Sequence, residues 1–257
     1  MVRGLYTAWT GMANEQKRLD IISNNLANAA TVGYKQDNVT NQSFDNVLAI
    51  KIRDASEQYY DRPIGTMNLG VKMGEVYTNY EQGSLRETGN TFDLAIVGKG
   101  FFNMSVKDKS GNESVQYTRD GSFTLTRDGY ISDADGNRLL GESGEITIPE
   151  NTAEVIIDTD GSIYADGVLS GKVILTDFED YKYLSKVGES RYIPVEGANT
   201  HAADATMQQG FTEQSNVVVV SEMVDMITIT RAYEANQKVI QTVDGTLDLA
   251  VNSVGKV

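Results

Sequence analysis

Apolar side chains near the start of the chain recur in steps of seven. Leu5, Met12, Leu19 and Leu26 form one row, and Ala8, Ile22 and Ala29 fill positions three residues later, with Glu15 breaking the second row. A 3-4 spacing held over about four heptads predicts a helix across residues 5–30 with a coiled-coil-like seam. At ~1.5 Å per residue such a helix is roughly 40 Å long. Gly33 stands where it would stop, because glycine accepts the left-handed conformation that ends a helix.

The same spacing returns at the other end. No proline interrupts residues 216–254, and Ile240, Val243, Leu247, Ala250 and Val254 alternate in steps of three and four. The half before them differs. Val218, Val219, Val220, Met223, Val224, Met226, Ile227 and Ile229 point in nearly every direction round a helix axis. A helix that is apolar all round must be covered all round. One partner helix cannot do that, so several neighbours are expected.

Between these ends the period changes to two. The stretch VQYTRDGSFTLTRDGYISDADGNRLLG alternates apolar and polar residues around Asp-Gly pairs at 120–121, 128–129 and 135–136, and pairs at 160–161 and 166–167 continue the series. Asp-Gly supplies the positive φ angles of tight hairpins, so residues 76–200 read as short antiparallel strands. Residues 36–75 are polar and mixed, a linker-like stretch with Arg62-Pro63-Ile64-Gly65 as a breaker and room for short strand pieces. The expected fold class is therefore α+β, with N- and C-terminal helices pairing as a coiled-coil-like unit and a central all-β domain of short antiparallel strands. The expected boundaries are a terminal helical domain from 1–35 and 216–257, an extended linker over 36–75, and a β domain over 76–215.

Charge sharpens this division. The chain carries 22 basic and 36 acidic residues, a formal net charge of −14. Residues 1–35 hold four basic and two acidic side chains, while residues 217–257 hold three and five, so the ends cancel and the excess lies between them. That distribution suits ends that associate with each other and a solvated, self-repelling middle. No basic stripe speaks for nucleic acid.

The chemistry of a catalyst is hard to find. There is no cysteine, which removes disulfides, thiol catalysis and Cys-based metal sites. The single histidine, His201, would have to carry any Ser-His-Asp hydrolysis alone. Gly98-Lys99-Gly100 runs into Phe101-Phe102, lacks the Lys-Ser/Thr ending of a phosphate loop, and reads as a turn between strands. Asp133-Ala134-Asp135-Gly136-Asn137 resembles part of a calcium loop, but the glycine comes one ligand early and the closing glutamate is absent. The reading is of a non-enzyme with no cofactor, no metal and no small-molecule substrate. The first residues lack the apolar run of a secretory signal, and no stretch reaches the ~18 apolar residues of a membrane span.

Four collinear blocks resemble the bacterial flagellar rod and hook protein family. SNNLANAATVGYK, from Ser23 to Lys35, is similar to its N-terminal signature. FDLAIVGKGFFNM, from Phe92 to Met104, is similar to an internal segment, although Phe92 replaces a residue that is commonly small or aliphatic. YTRDGSFTLTRDGYISDADGNRLLG resembles the strand run that follows. GFTEQSNVVVVSEMVDMITITRAYEANQKVIQTVD resembles the C-terminal helix and its entry. The resemblance implies an axial structural protein of the flagellar basal body, in the cell envelope. Its paired terminal helices would form an inner tube and its β-body an outer layer. It would be a helical homopolymer acting as a hollow torque-transmitting shaft, exported by the flagellar type III apparatus without a cleaved signal. Its partners would be itself, other rod and hook proteins and the export apparatus.

The short β-body argues for a rod component over a longer hook-type protein, and residues 48–70 lie where distal rod members carry a linker. The ending LDLAVNSVGKV lacks the Leu-Gln-x-Leu of many such members, which leaves a proximal rod type as the alternative. On this reading the polymer contact is expected on Leu5, Met12, Leu19, Ile22, Asn24, Asn25, Leu26 and Asn28, and on Met223, Ile227, Ile240, Val243, Leu247 and Val254, with Gly33 as helix stop and hinge. Amides between packed helices would fix register. A second class of reading is a secreted carbohydrate-binding protein with a helical dimerisation stalk. It would need clustered aromatics or paired acids, and Tyr77, Tyr80, Tyr117 and Tyr130 fit alternating strand positions better than a sugar platform.

Overall fold

The structure is a computed structural model and describes residues 2–50, 63–107, 113–149 and 152–254. A helix at each end brackets a run of antiparallel strands. The chain groups into two compact units, one from residues 1–26, 37–78 and 219–257, the other from residues 27–36 and 79–218.

The first unit holds both long helices. Helix α1 is Val2–Ala27, and it ends before the expected residue 30. Gly33 is thus not its cap, although the glycine does adopt a left-handed φ of 67°. The stretch expected as an extended linker holds four strands: β1 (Asp37–Ser43), β2 (Val47–Ile50), β3 (Pro63–Met67) and β4 (Val71–Thr78). β1 pairs antiparallel with β4, from Asp37 opposite Thr78 to Ser43 opposite Val71, with an irregularity between Val39 and Asn41. β2 and β3 pair antiparallel as well. Asn14 Nδ2 donates to Asn41 Oδ1 at 3.1 Å and so ties α1 to this ladder.

Helix α2 of this unit is Val219–Leu249 and continues as a π turn over Ala250–Val254. It starts later than the expected Asn216. That residue's amide is engaged elsewhere, accepting from Gln36 N at 2.8 Å and donating to the Asn79 carbonyl at 2.8 Å.

The second unit contains the β-rich body. Strands β5 (Leu85–Glu87), β6 (Leu94–Gly98), β7 (Phe101–Lys107) and β8 (Glu113–Thr118) lead into the Asp-Gly run. This run forms β9 (Thr124–Leu125), β10 (Ile131–Ser132), β11 (Arg138–Gly141) and β12 (Gly144–Glu145). β13 (Val155–Ile157), β14 (Ser162–Ala165) and β15 (Val168–Lys172) make a three-stranded sheet. β16 (Leu175–Phe178), β17 (Leu184–Val187), β18 (Arg191–Pro194) and β19 (Thr200–Ala202) complete a ten-stranded sheet whose main path is β17-β18-β8-β7-β11-β10-β9. β20 (Ala205–Gln209) pairs with β6, and β21 (Phe211–Glu213) with β5.

Neighbouring residues of a strand point to opposite faces, and Phe101-Phe102 uses this to seed two cores. Phe102 joins Leu94, Ile96, Met104, Ile131, Leu139 and Ile163 in the main cluster. Phe101 joins Phe178 and Tyr192, with Tyr80, Tyr117 and Tyr181 packed around them. The Gly98-Lys99-Gly100 turn between β6 and β7 has φ of 116° and 132° at its glycines, as a turn reading requires.

The Asp-Gly pairs divide into three kinds. Asp166 and Gly167 both have positive φ, 49° and 80°, and close the two-residue turn between β14 and β15. Gly129, Gly136 and Gly161 are left-handed after ordinary turns, with N–H groups bonded to the carbonyls of Thr126, Asp133 and Asp158. Asp120-Gly121 departs from the expected hairpin. Gly121 is not left-handed, and it is needed because the Leu94 carbonyl occupies the space of any Cβ.

Candidate assembly interface

The burial of α2 follows a heptad. Glu222, Met226, Ile229, Tyr233, Asn236, Ile240 and Val243 are its buried or half-buried positions, in alternating steps of four and three, with half-buried Ala232 beside them. Two of them reach α1. Glu222 Oε2 accepts from Asn25 Nδ2 at 3.4 Å, and a Cβ at Gly11 would stand 2.9 Å from Asn236 Nδ2. Residue numbers fall on α1 as they rise on α2, so the helices run antiparallel. The two contacts lie 14 residues apart on both helices (25 less 11, and 236 less 222), a multiple of seven.

The opposite face of α2 is open. Val220 is 72% exposed, Val224 57% and Ile227 54%, with Met223 also exposed. These belong to the half read as apolar all round, and among the described residues they stay uncovered. Among the other positions expected to make polymer contacts, Leu5, Met12, Leu19, Ile22, Leu26 and Asn28 are half-buried, as are Ile240 and Val243. Leu247 and Asn24 are exposed, and the Val254 side chain lies outside the described residues. Asn25 is the buried amide of the Asn cluster. Its Nδ2 donates to the Asp37 carbonyl at 2.9 Å and its Oδ1 accepts from Asp37 N at 3.0 Å, pinning the start of β1 to the end of α1.

A second constellation escaped the sequence reading. Just past α1, Gly33, Tyr34 and Lys35 are buried in the β-rich unit. Lys35 Nζ sits 2.6 Å from Glu213 Oε1 and donates to the Glu81 carbonyl at 2.7 Å. Arg119 Nη1 sits 3.1 Å from Glu213 Oε2, and its Nη2 donates to the Gly98 carbonyl at 2.8 Å. Gly83 N donates to Glu213 Oε1 at 2.9 Å. Lys186 Nζ lies 3.9 Å from the Tyr34 ring centroid and donates to the Lys35 carbonyl at 3.0 Å. Burial pushes the Lys35 amine below its ordinary value, with Glu213 opposing. A single carboxylate thus holds two buried cations in a clamp that fastens residues 33–35. The available signal was that Lys35, Arg119 and Glu213 each interrupt a glycine- and aromatic-rich block.

No catalytic constellation emerges around the residues weighed for chemistry. The Asp133 carboxylate accepts from Asp135 N and Asn137 N, both at 2.9 Å, and serves its own turn. His201 Nε2 lies 3.6 Å from Asp177 Oδ2 on an exposed strand. Tyr80 and Tyr117 pack into the Phe101 cluster, and Tyr130 lies under the Arg138 guanidinium at 3.9 Å, so these rings are engaged within the fold. Among the described residues no group of three or more His, Asp or Glu side chains is arranged to hold a metal, and no helix is long and apolar enough to cross a membrane.

An open apolar helical face in the first unit, and in the second a β-rich fold whose notable polar groups are engaged in holding it, suit a structural protein. Comparison with known proteins agrees along the whole chain. The family described as "Flagella basal body rod protein" matches residues 5–35, "Flagellar hook protein FlgE/F/G D1 domain" residues 95–165, and "Flagellar basal body rod FlgEFG protein C-terminal" residues 208–253. The chain is 35% identical to the flagellar basal-body rod protein FlgG of Buchnera aphidicola from Acyrthosiphon pisum, over 96% of this chain and 98% of that protein. It is 33% identical to FlgG of Bacillus subtilis over 98% and 99% of the two chains, and 36% identical to FlgG of Caulobacter vibrioides over 96% and 97%. The chain belongs to the flagellar basal-body rod protein family. It is a structural rod subunit of the basal body rather than an enzyme, and it assembles with other flagellar rod and hook proteins.

Proposed function

We propose that this chain polymerises with copies of itself into a helical, hollow, torque-transmitting shaft of the distal rod type. The observation that carries this is the open apolar ridge of α2. Aliphatic side chains gain about 1.5–3 kcal/mol each on full burial, and a contiguous exposed set of them marks a contact surface. In the assembled rod the terminal helices pair as a coiled-coil-like unit and form the inner tube, while the β-rich body forms the outer layer. The heptad burial on α2 and its two antiparallel contacts with α1 support that pairing. The half-buried row of Leu5, Met12, Leu19, Ile22 and Leu26 then becomes fully covered, together with Met223, Ile227, Ile240, Val243 and Leu247.

Assembly and export are linked by the same helices. A helix without its packing partners is marginal in water, so the terminal segments order as they dock on the growing tip and lose their entropy at that moment. An unassembled chain stays narrow enough for the flagellar type III export apparatus and needs no cleaved signal. Hydrogen exchange on the monomer is expected to be fast over residues 5–30 and slow over the β-rich unit. Full protection of residues 5–30 before assembly would overturn coupled ordering.

Replacing Val220 and Val224 together by aspartate tests the contact itself. Both are exposed in the single chain, so monomer stability should change by no more than about 0.5 kcal/mol per site. Rods should be absent by electron microscopy, because every subunit then places carboxylates in an apolar joint. Rods of normal length and number from this variant would refute the proposal.

A further inference from the structure

A groove on the first unit suggests which surface receives the α2 ridge. It runs between α1 and the β1–β4 ladder, lined by Trp9, Asn14, Lys17, Phe44, Lys72 and Met73. Trp9 is 55% exposed although it is the only tryptophan and sits on a helix with other apolar cover. Asn14 at the groove is buried, its Nδ2 is engaged with Asn41, and among the described residues its Oδ1 has no hydrogen-bond donor. A buried carbonyl oxygen without a donor is unfavourable, and an incoming N–H or O–H group would relieve it.

We propose that this groove seats the Val220–Val224–Ile227 ridge of α2 from a second copy of the chain. The proposal rests on the reading that the chain polymerises with itself, and it specifies the joint. Three observations select this occupant. The ridge is apolar and flanked by exposed Asp225, while the groove is aromatic and flanked by Lys17 and Lys72, so shape chemistry and charge both match. The ridge begins with Val220 in the first turn of α2, where the leading backbone N–H groups have no intrahelical partner, and among the described residues Asn14 Oδ1 is an acceptor without a donor.

The third observation is direction. Gly11 faces α2, and Trp9 is two residues away, about 200° round the helix. Glu222 faces α1, and Val224 is likewise about 200° round from it. Groove and ridge therefore point away from each other across the helix pair. The ridge of one copy enters the groove of the next, a head-to-tail contact that does not close as a dimer and so extends into a helical polymer.

The absence of cysteine makes the test direct. Two chains, one Trp9→Cys and one Val224→Cys, are co-assembled into rods and treated with a short bismaleimide. The expected product is a two-chain species containing one of each variant, in excess over either like-with-like product, and absent when only one variant is supplied. Lys17→Cys with Ile227→Cys reads the same joint at a second pair of exposed or rim positions. Rods that form but yield only like-with-like products, or none with either pair, overturn this inference and leave polymerisation standing. If the unsubstituted chain forms no homopolymer at all, the reading beneath it fails and the joint fails with it.

Discussion

Replacing Glu213 by alanine is expected to destabilise the β-rich unit by about 3–5 kcal/mol, the range for breaking a buried charge pair from one side. Glu213 is fully buried and meets both Lys35 and Arg119, which are almost as buried. Its removal leaves two cations in an apolar site with no anion. Lys35 would keep the Glu81 carbonyl and Arg119 the Gly98 carbonyl, which are dipoles and cannot balance a full charge. The clamp also anchors residues 33–35, and Gly33 N donates to the Glu213 carbonyl at 2.8 Å, so the loss should be felt first in that segment. Urea unfolding followed by circular dichroism measures the effect. A loss below about 1 kcal/mol, the scale of an exposed pair, would show that the clamp is not what holds residues 33–35.

The pH dependence of a Glu213→Gln variant adds a check with a defined sign. Burial already lowers the Lys35 pKa in the folded chain, and Glu213 opposes that lowering. Without the carboxylate the folded pKa falls further, so the unfolded chain binds the proton more readily than the folded one. The deficit against the natural chain should be greatest at neutral pH. It should shrink as pH rises through the range, below the ordinary lysine value, in which Lys35 loses its proton first in the folded variant and then in the folded natural chain. Arg119 does not deprotonate in this range, so part of the deficit should persist.

Gly33→Ala is expected to be the second large effect, from two separable causes. The residue has φ of 67°, which costs a side-chain-bearing residue about 1–2 kcal/mol. A Cβ there would also stand within 2.5 Å of the Arg119 carbonyl carbon and would overlap the backbone of Asp120. Overpacking against backbone that cannot yield adds about 1–3 kcal/mol. Gly89 supplies the control, since its φ is 71° and nothing lies within 4 Å of its would-be Cβ. Gly89→Ala should therefore show the conformational cost alone, and the difference between the two variants isolates the contact with Arg119 and Asp120. Equal losses would mean that the junction adjusts around Gly33 freely. Gly33 is thus a close-approach residue of the clamp, a different role from ending the helix.

Periodicity and turn chemistry made the main elements legible before any coordinates. Heptad rows need only local spacing, so both terminal helices were foreseeable to within a few residues at each end. Asp-Gly turns carry their geometry in two adjacent residues, so most of the hairpins were foreseeable too. Gly121 looked like its sister pairs because the sequence records a turn residue without recording what approaches it. The linker-like stretch left room for short strand pieces, but the extent and pairing of the strands in residues 37–78 were not legible, since Asp37–Ser43 is largely exposed and gives no apolar alternation.

The sequence by itself determined which segments are helical, that the body between them is an antiparallel β structure, and that the C-terminal helix has more apolar surface than one partner can cover. These follow from interactions between residues close in the chain. Tertiary structure decided which amide of the Asn cluster is buried, which face of α2 stays open, and that Lys35, Arg119 and Glu213 meet. Those outcomes join residues up to 197 positions apart. A charge in a sequence does not reveal its partner, because the energy that makes its burial tolerable exists only once the folded chain has brought the opposite charge beside it.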